Sequence, residues 1–137
     1  MEADNMKTCL SAGEVIRAAL TEDNEVSGRV TGIYPIAADN AELPYITFRR
    51  TGHGHRTGYK QTPVKGRPGS ETVHIEVACA AASYIESVEM AEAVRAALDY
   101  VQAEHEGLVI RSCTLVDSSE SRETDAYIQR LVFECKT

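Results

Sequence analysis

The stretch from Thr72 to Tyr100 constrains the fold of this chain more than any other. It opens Thr-Val-His-Ile-Glu-Val-Ala-Cys-Ala, alternating apolar and polar residues, the period-two pattern of a strand with one buried face. It turns at Ala82-Ser83 into the clearest helical pattern in the sequence. Ile85, Val88, Ala91, Val94, Leu98 and Val101 recur at steps of three and four and form one apolar stripe, with Glu86, Glu89, Glu92, Arg95 and Asp99 on the other side. A half-buried strand needs a cover, and the helix that follows it is expected to supply one. No residue in this unit carries a catalytic signature.

The flanking sequence supplies the other elements. Residues 1–10 are expected to be a loose N-terminus. Ser11 with Glu14 reads as a capping box, and Val15, Ile16, Ala19 and Leu20 give a short amphipathic helix ending near Glu22. Thr21 to Glu25 reads as a solvated connector. Gly28 to Tyr34 reads as a short strand stopped by Pro35, which cannot donate to a ladder. Leu43 to Arg50 is a second strand with Pro44 at its start. After the central unit, Gln102 to Gly107 ends the helix, with Gly107 as terminator. Leu108 to Val116 is a strand, Asp117 to Thr124 a charged turn, and Asp125 to Cys135 the last strand, with Tyr127, Gln129, Leu131, Phe133 and Cys135 on one face. The order is helix, three strands, helix, two strands. It predicts an α+β fold: a mainly antiparallel sheet of about five strands with two helices packed on it. At 137 residues the chain is expected to be one compact domain, 1–137, with a single core.

Composition excludes several function classes. The longest apolar runs are too short to span a membrane, and no apolar stretch after a basic start suggests a signal peptide. A net charge of −7 argues against a general nucleic-acid binder. That average hides an asymmetry. From Leu43 to Ser70 there is no acidic residue, while Arg49, Arg50, Arg56, Lys60, Lys65 and Arg67 are basic; all 21 acidic residues lie elsewhere. Within this segment 51–69 is rich in glycine (Gly52, Gly54, Gly58, Gly66, Gly69) and reads as a long basic loop or an extended hairpin arm.

The search for chemistry returns little. Gly52, Gly54 and Gly58 miss the dinucleotide fingerprint by one position, with no helix following. His53 and His55 have no carboxylate or thiolate near them in sequence. His74 and Cys79 share a strand but sit five apart, so they face opposite ways and make no Cys–His dyad. Cys9, Cys79, Cys113 and Cys135 contain no C-x-x-C pair and read as buried free thiols. Asp117, Glu120, Glu123 and Asp125 lack the central glycine of a calcium loop. No catalytic, cofactor-binding or metal residues are assigned. The basic segment has two readings, a surface loop or an interaction arm for an acidic neighbour or nucleic acid. Tyr59 is the only aromatic side chain between Arg50 and Ser70, too few for a base-stacking platform.

Four features in order carry a family resemblance: the helix from Glu14 to Leu20; Ile33-Tyr34-Pro35 followed by Leu43-Pro44-Tyr45-Ile46-Thr47-Phe48; Val73 to Ala78 running through Ala81-Ala82-Ser83-Tyr84 into Ala91 to Asp99; and a strand pair ending Tyr127 to Phe133. Together they resemble the phage tail-completion family, also described as tail-terminator or head–tail joining proteins. The resemblance implies a structural protein, not an enzyme, with no cofactor. It implies a ring, a hexamer, that terminates the tail tube or joins it to the head. Its partners would be other copies of itself, tail tube and head-connector proteins, and DNA in the lumen, with no membrane. Its place would be the virion tail, after assembly in the host cytoplasm. The six basic residues Arg49, Arg50, Arg56, Lys60, Lys65 and Arg67 then become the expected subunit or DNA contact. Two other classes stand beside this one: a small ligand-binding or enzymatic domain, which would show a concave polar pocket, and a nucleic-acid module built on the basic arm.

Overall fold

The computed structural model describes residues 7–55 and 71–137. Its centre is β3 (Glu71–Ala81), whose side chains alternate in burial as the sequence pattern requires. Val73, Ile75, Val77 and Cys79 are fully buried on one face. On either side β3 pairs antiparallel with β2 (Tyr45–His55) and β7 (Ala126–Lys136). The register places Ile46 against Cys79 and Phe48 against Val77 on one side, and Leu131 against Val77, Phe133 against Ile75 and Cys135 against Val73 on the other. Directly opposed residues share a face, so this register builds one continuous apolar surface across three strands. The sheet is completed by β1 (Ile33–Pro35) beside β2 and β6 (Ser112–Glu123) beside β7, giving the order β1-β2-β3-β7-β6. Only β1 runs parallel to its neighbour. The expected α+β fold with a mainly antiparallel sheet is the one observed.

Two helices cover the apolar face. In α1 (Ala12–Glu22), Ala12, Val15, Ile16 and Leu20 are buried, on the predicted stripe. The capping box is not formed: Ser11 makes no side-chain cap bond, and its ψ of 8° is not the extended conformation a capping serine needs. It belongs instead to a 3-10 turn, Cys9–Ser11, capped by Thr8 Oγ1 accepting from Leu10 N. Cys9 is buried in the core, so the chain is anchored there rather than loose as far as residue 10. Helix α2 (Asn24–Ser27) lies where a connector was expected. Asp23 caps it through bonds to Glu25 N and Val26 N, and Val26 is buried. The amides of Gly28 and Arg29 are used in closing that turn, which is why β1 is shorter than the sequence suggests.

Helix α3 (Tyr84–Leu98) starts at a capping Ser83 that accepts from Glu86 N. Its buried residues are Ser87, Met90, Val94 and Leu98. The stripe is therefore rotated from the predicted one, and Ile85 is 69% exposed. The buried Ser87 is satisfied: its Oγ donates to Tyr84 O at 2.7 Å and accepts from Gln129 Nε2 at 3.3 Å. A residue with such partners is as acceptable inside as an apolar one. Just past the helix, Asp99 Oδ1 accepts from Leu115 N at 2.9 Å and Oδ2 from Arg95 Nε at 3.2 Å. That carboxylate ties the end of α3 to the edge strand.

Two C-terminal expectations are corrected. Residues Gln102 to Gly107 are not a helix end but contain β4 (Ala103–His105), which forms a hairpin with β5 (Leu108–Ile110). Glu106 and Gly107 have φ of 49° and 91°, the left-handed pair of a two-residue hairpin turn. The charged stretch from Asp117 is strand as far as Glu123, and only Thr124 and Asp125 turn. Polar side chains fit there because they are paired: Glu120 accepts from Tyr84 Oη and Gln129 Nε2, and Glu123 from Arg130 Nη2. Of the basic loop or arm at 51–69, residues 51–55 belong to β2, and the remainder lies outside the described residues.

The rotated α3 stripe gives the first prediction. Met90→Ala, at a buried position of α3, should cost about 2–5 kcal/mol in urea unfolding. Ile85→Ala should stay within about 0.5 kcal/mol. Equal losses at both positions would contradict the observed packing.

Candidate interaction surfaces

The helices cover one face of the sheet; the other face carries charge. Because Arg49 opposes Glu76 in the register, its Nε reaches Glu76 Oε2 at 3.3 Å. The same oxygen lies 3.9 Å from Arg130 Nε. Arg130 then donates through Nη1 to Ser121 Oγ and through Nη2 to Glu123 Oε2, both at 2.8 Å. The result is a line of alternating charge, Arg49, Glu76, Arg130 and Glu123, across β2, β3, β7 and β6. The Glu76 side chain is only 15% exposed, so its two guanidinium neighbours offset a real desolvation cost. His74 Nε2 approaches Glu134 Oε2 at 3.5 Å on the same face.

Arg50 points the other way. Its register partner is Ile75, on the helix side, and its Nη1 donates to Leu10 O at 3.3 Å. The structure therefore separates Arg49 and Arg50 onto opposite faces and gives each a partner within the chain. Arg56, Lys60, Lys65 and Arg67 lie outside the described residues.

A second polar network closes the far end of the hairpin. Tyr84 Oη and Gln129 Nε2 both donate to Glu120 Oε2 at 3.0 Å. Tyr84 stacks edge-on to Tyr127 with ring centroids 6.2 Å apart, and Arg122 lies 5.4 Å above the Tyr127 ring. The hydrogen bond that Tyr84 donates to Glu120, with the charge of that carboxylate, pushes the Tyr84 phenol above its ordinary pKa. The alternation of Glu120 and Arg122 opposite Gln129 and Tyr127 was the available signal for this network, obscured by reading the stretch as a turn.

The helix side is acidic. A groove of about 420 Å³ between α2 and α3 is lined by Asp23, Glu25, Glu89 and Glu92 over a floor of Val88, Ala93 and Ala96. Arg29 bridges it, 3.8 Å from Glu25 and 3.5 Å from Glu89.

Among the described residues no group of three or more His, Cys, Asp or Glu side chains is placed to hold a metal ion. His74 and Cys79 face opposite ways, as their spacing demands. Burial pushes the Cys79 thiol up to about 12. Burial, with a hydrogen bond to Glu71, does the same at Cys9. Such thiols are protonated at neutral pH and are poor nucleophiles. No helix among the described residues is long and apolar enough to cross a membrane.

The comparisons with known proteins are consistent with each other. The family model described as tail completion protein gp17 matches residues 14–137. A chain solved within the "Virion of native gene transfer agent (GTA) particle" superposes with a TM-score of 0.65 at 16% identity, over 90% of this chain and 92% of that one. A second solved chain superposes at 0.52 with 9% identity, over 90% and 95%. At these identities the two superpositions establish the fold. No curated protein matches.

The charge line yields a prediction about acid. A hydrogen bond from Arg130, and its charge, hold the Glu123 carboxyl below its ordinary pKa. A carboxylate lowered by folding adds stability above its unfolded pKa and loses it as the pH falls through the folded value. Carboxyl titration by NMR should show the Glu123 midpoint moving up to the ordinary range in Arg130→Ala. An unmoved midpoint would mean that the pair does not persist in solution.

Proposed function

We propose a specific role from one premise: this chain belongs to the tail completion protein gp17 family. Family membership makes it a structural protein of a phage tail. The finer role we infer is a ring, a hexamer, that terminates the tail tube or joins it to the head. It would be built in the host cytoplasm, carried in the virion tail, and work without a catalytic step or a cofactor. The observation that carries the reading is the extent of the family match. Residues 14–137 take in every strand and nearly all of α1, so the likeness belongs to the whole domain and not to one motif. The virion likeness of the GTA chain supports the same assignment.

The charge distribution suggests how copies meet. The basic segment holding Arg49, Arg50, Arg56, Lys60, Lys65 and Arg67 is free of acidic residues, and the α2–α3 side presents Asp23, Glu25, Glu89 and Glu92. Contact of one copy's basic segment with the next copy's acidic side is heterologous, the kind of contact that closes rings. Arg49 and Arg50 are already engaged within the chain, so Arg56, Lys60, Lys65 and Arg67 would supply most of the attraction. The same cations facing a lumen would instead contact DNA.

Light scattering over a wide concentration range, with and without purified tail tubes, tests this role. Self-association or tube binding is expected, weakening as salt rises. Reversing Arg56, Lys60, Lys65 and Arg67 to Glu should reduce association at least tenfold. A protein that stays monomeric at every concentration and leaves tubes unbound would overturn the ring. If the reversed variant associated normally but lost DNA binding at low salt, the contact between copies would be wrong and the lumen contact right.

A further inference from the structure

We propose that Cys113 and Cys135 are a redox pair that closes into a cross-strand disulfide, stapling β6 to β7. The two residues are register partners in the antiparallel β6–β7 ladder. Both are buried free cysteines, and their Sγ atoms lie 3.8 Å apart. Directly opposed residues of an antiparallel pair have Cα atoms about 4.5–5.5 Å apart. That separation falls within the roughly 4.4–6.8 Å that a disulfide spans. Closure therefore needs rotation of two short side chains and no rearrangement of the backbone. The other two thiols have different surroundings. Cys79 lies between Ile46 and Gln129 in the register, and Cys9 sits in the 3-10 turn with Glu71 as its hydrogen-bond partner.

Access is through the edge of the sheet. Among the described residues β6 has a strand neighbour on one side only. Its other edge is held here by Tyr100 N donating to Cys113 O at 2.7 Å and Leu115 N donating to Asp99 Oδ1 at 2.9 Å. Releasing those two bonds and parting β6 locally from β7 exposes Cys113 without unfolding the domain. The oxidant is a low-molecular-weight disulfide. Cys113 gives up its proton, and its thiolate attacks one sulfur of the oxidant. The small S–S bond breaks and one thiolate leaves. Cys135 then gives up its proton and attacks Sγ of Cys113 in the mixed disulfide, and the second small thiolate leaves. Two protein thiols are oxidised, one small disulfide is reduced to two thiols, and those thiols carry away both protons. The hydrogen bond to Cys113 and burial keep the Cys135 thiol well above its ordinary pKa, so the closed fold resists oxidation until the edge opens.

This chemistry belongs to the hairpin and holds whatever the protein's role. If the tail role of the previous subsection is right, and only then, the pair has a natural schedule. It stays reduced in the compartment where the particle is built and closes once the particle is outside.

The test uses the full wild-type chain. It is incubated natively with oxidised glutathione, quenched by alkylation in denaturant, digested and analysed by mass spectrometry. We expect a peptide linking Cys113 to Cys135, with Cys9 and Cys79 alkylated. The midpoint of thermal unfolding should rise by roughly 5–10 °C and return on adding a reductant. Cys113→Ala should abolish the linked peptide, and Cys79→Ala should keep it. If either variant fails to fold, the wild-type peptide map decides alone. Four alkylated thiols after exhaustive oxidation would overturn the proposal. So would a glutathione adduct left standing on Cys113, or a bridge to Cys9 or Cys79. None of these outcomes bears on whether the protein binds tail tubes, so the two readings fail separately.

Discussion

Val73, Ile75, Val77 and Cys79 place a fully buried row on one face of the central strand, and the cost of wetting that row organises the domain. Each such side chain is worth about 1.5–3 kcal/mol in burial, so the face must be covered along its length. Its strand neighbours extend it sideways through Ile46 and Phe48 on β2 and Leu131 and Phe133 on β7. A surface that wide exceeds what one helix can cover. α3 lies over the β3–β7 side, while α1 lies over β2 and the β4–β5 hairpin. The short elements are fixed by the same demand: Cys9 draws the N-terminal turn inward, Val26 holds α2 down, and Leu108 and Ile110 seat β5.

The opposite face meets a different constraint. With no helix over it among the described residues, a charged residue is allowed, but strands set the side chains close enough that unlike charges must be paired. Arg49, Glu76, Arg130 and Glu123 solve this in sequence across four strands. Exposed pairs of this kind contribute little, about 0–1 kcal/mol each. Glu76 differs, because it is mostly withdrawn from water and depends on two guanidiniums at once. The charge line therefore agrees with the register that the buried face already imposes, since any slip would unpair it as well.

How much of this was legible in the sequence depended on which physical signal each element carries. β3 and α1 were readable because a single buried face imposes a period on the residues. α3 was readable as a helix but not in its rotation, since Ser87 enters the core through hydrogen bonds to Tyr84 O and Gln129 that hydropathy does not record. β6 beyond Val116 was not readable at all: both of its faces are polar there, held by Gln129, Arg130 and Tyr84 from elsewhere in the chain. Gly107 was visible as a breaker, but whether it ends a helix or turns a hairpin depends on Glu106 also taking positive φ. The surfaces were less legible than the fold. Charge counting located the basic segment, yet only coordinates show that Arg49 and Arg50 diverge and are already engaged.

These constraints bear on what kind of association the domain can support. An interface driven by apolar burial needs a contiguous hydrophobic patch of several hundred Å². Among the described residues the large exposed apolar side chains are Leu10, Ile36, Tyr84, Ile85, Tyr100, Val109 and Val116. They belong to different elements, and only Tyr84 and Ile85 are sequence neighbours at one helix start. The uncovered sheet face is no substitute, because its charges already satisfy one another and would have to be desolvated again. What the sequence leaves uneven is long-range charge: beyond the engaged Arg49 and Arg50, Arg56, Lys60, Lys65 and Arg67 cluster without an anion between them on a chain of net −7. Charge of that kind steers encounter and fixes orientation more than it supplies affinity. A single contact between two copies would then be weak, and stable assembly would need several contacts made at once. The proposed ring, closed on itself or seated on a tube, would meet that requirement, because each copy would be held at two faces. The proposed contact between a basic segment and an acidic helix side is of this weak, many times repeated kind.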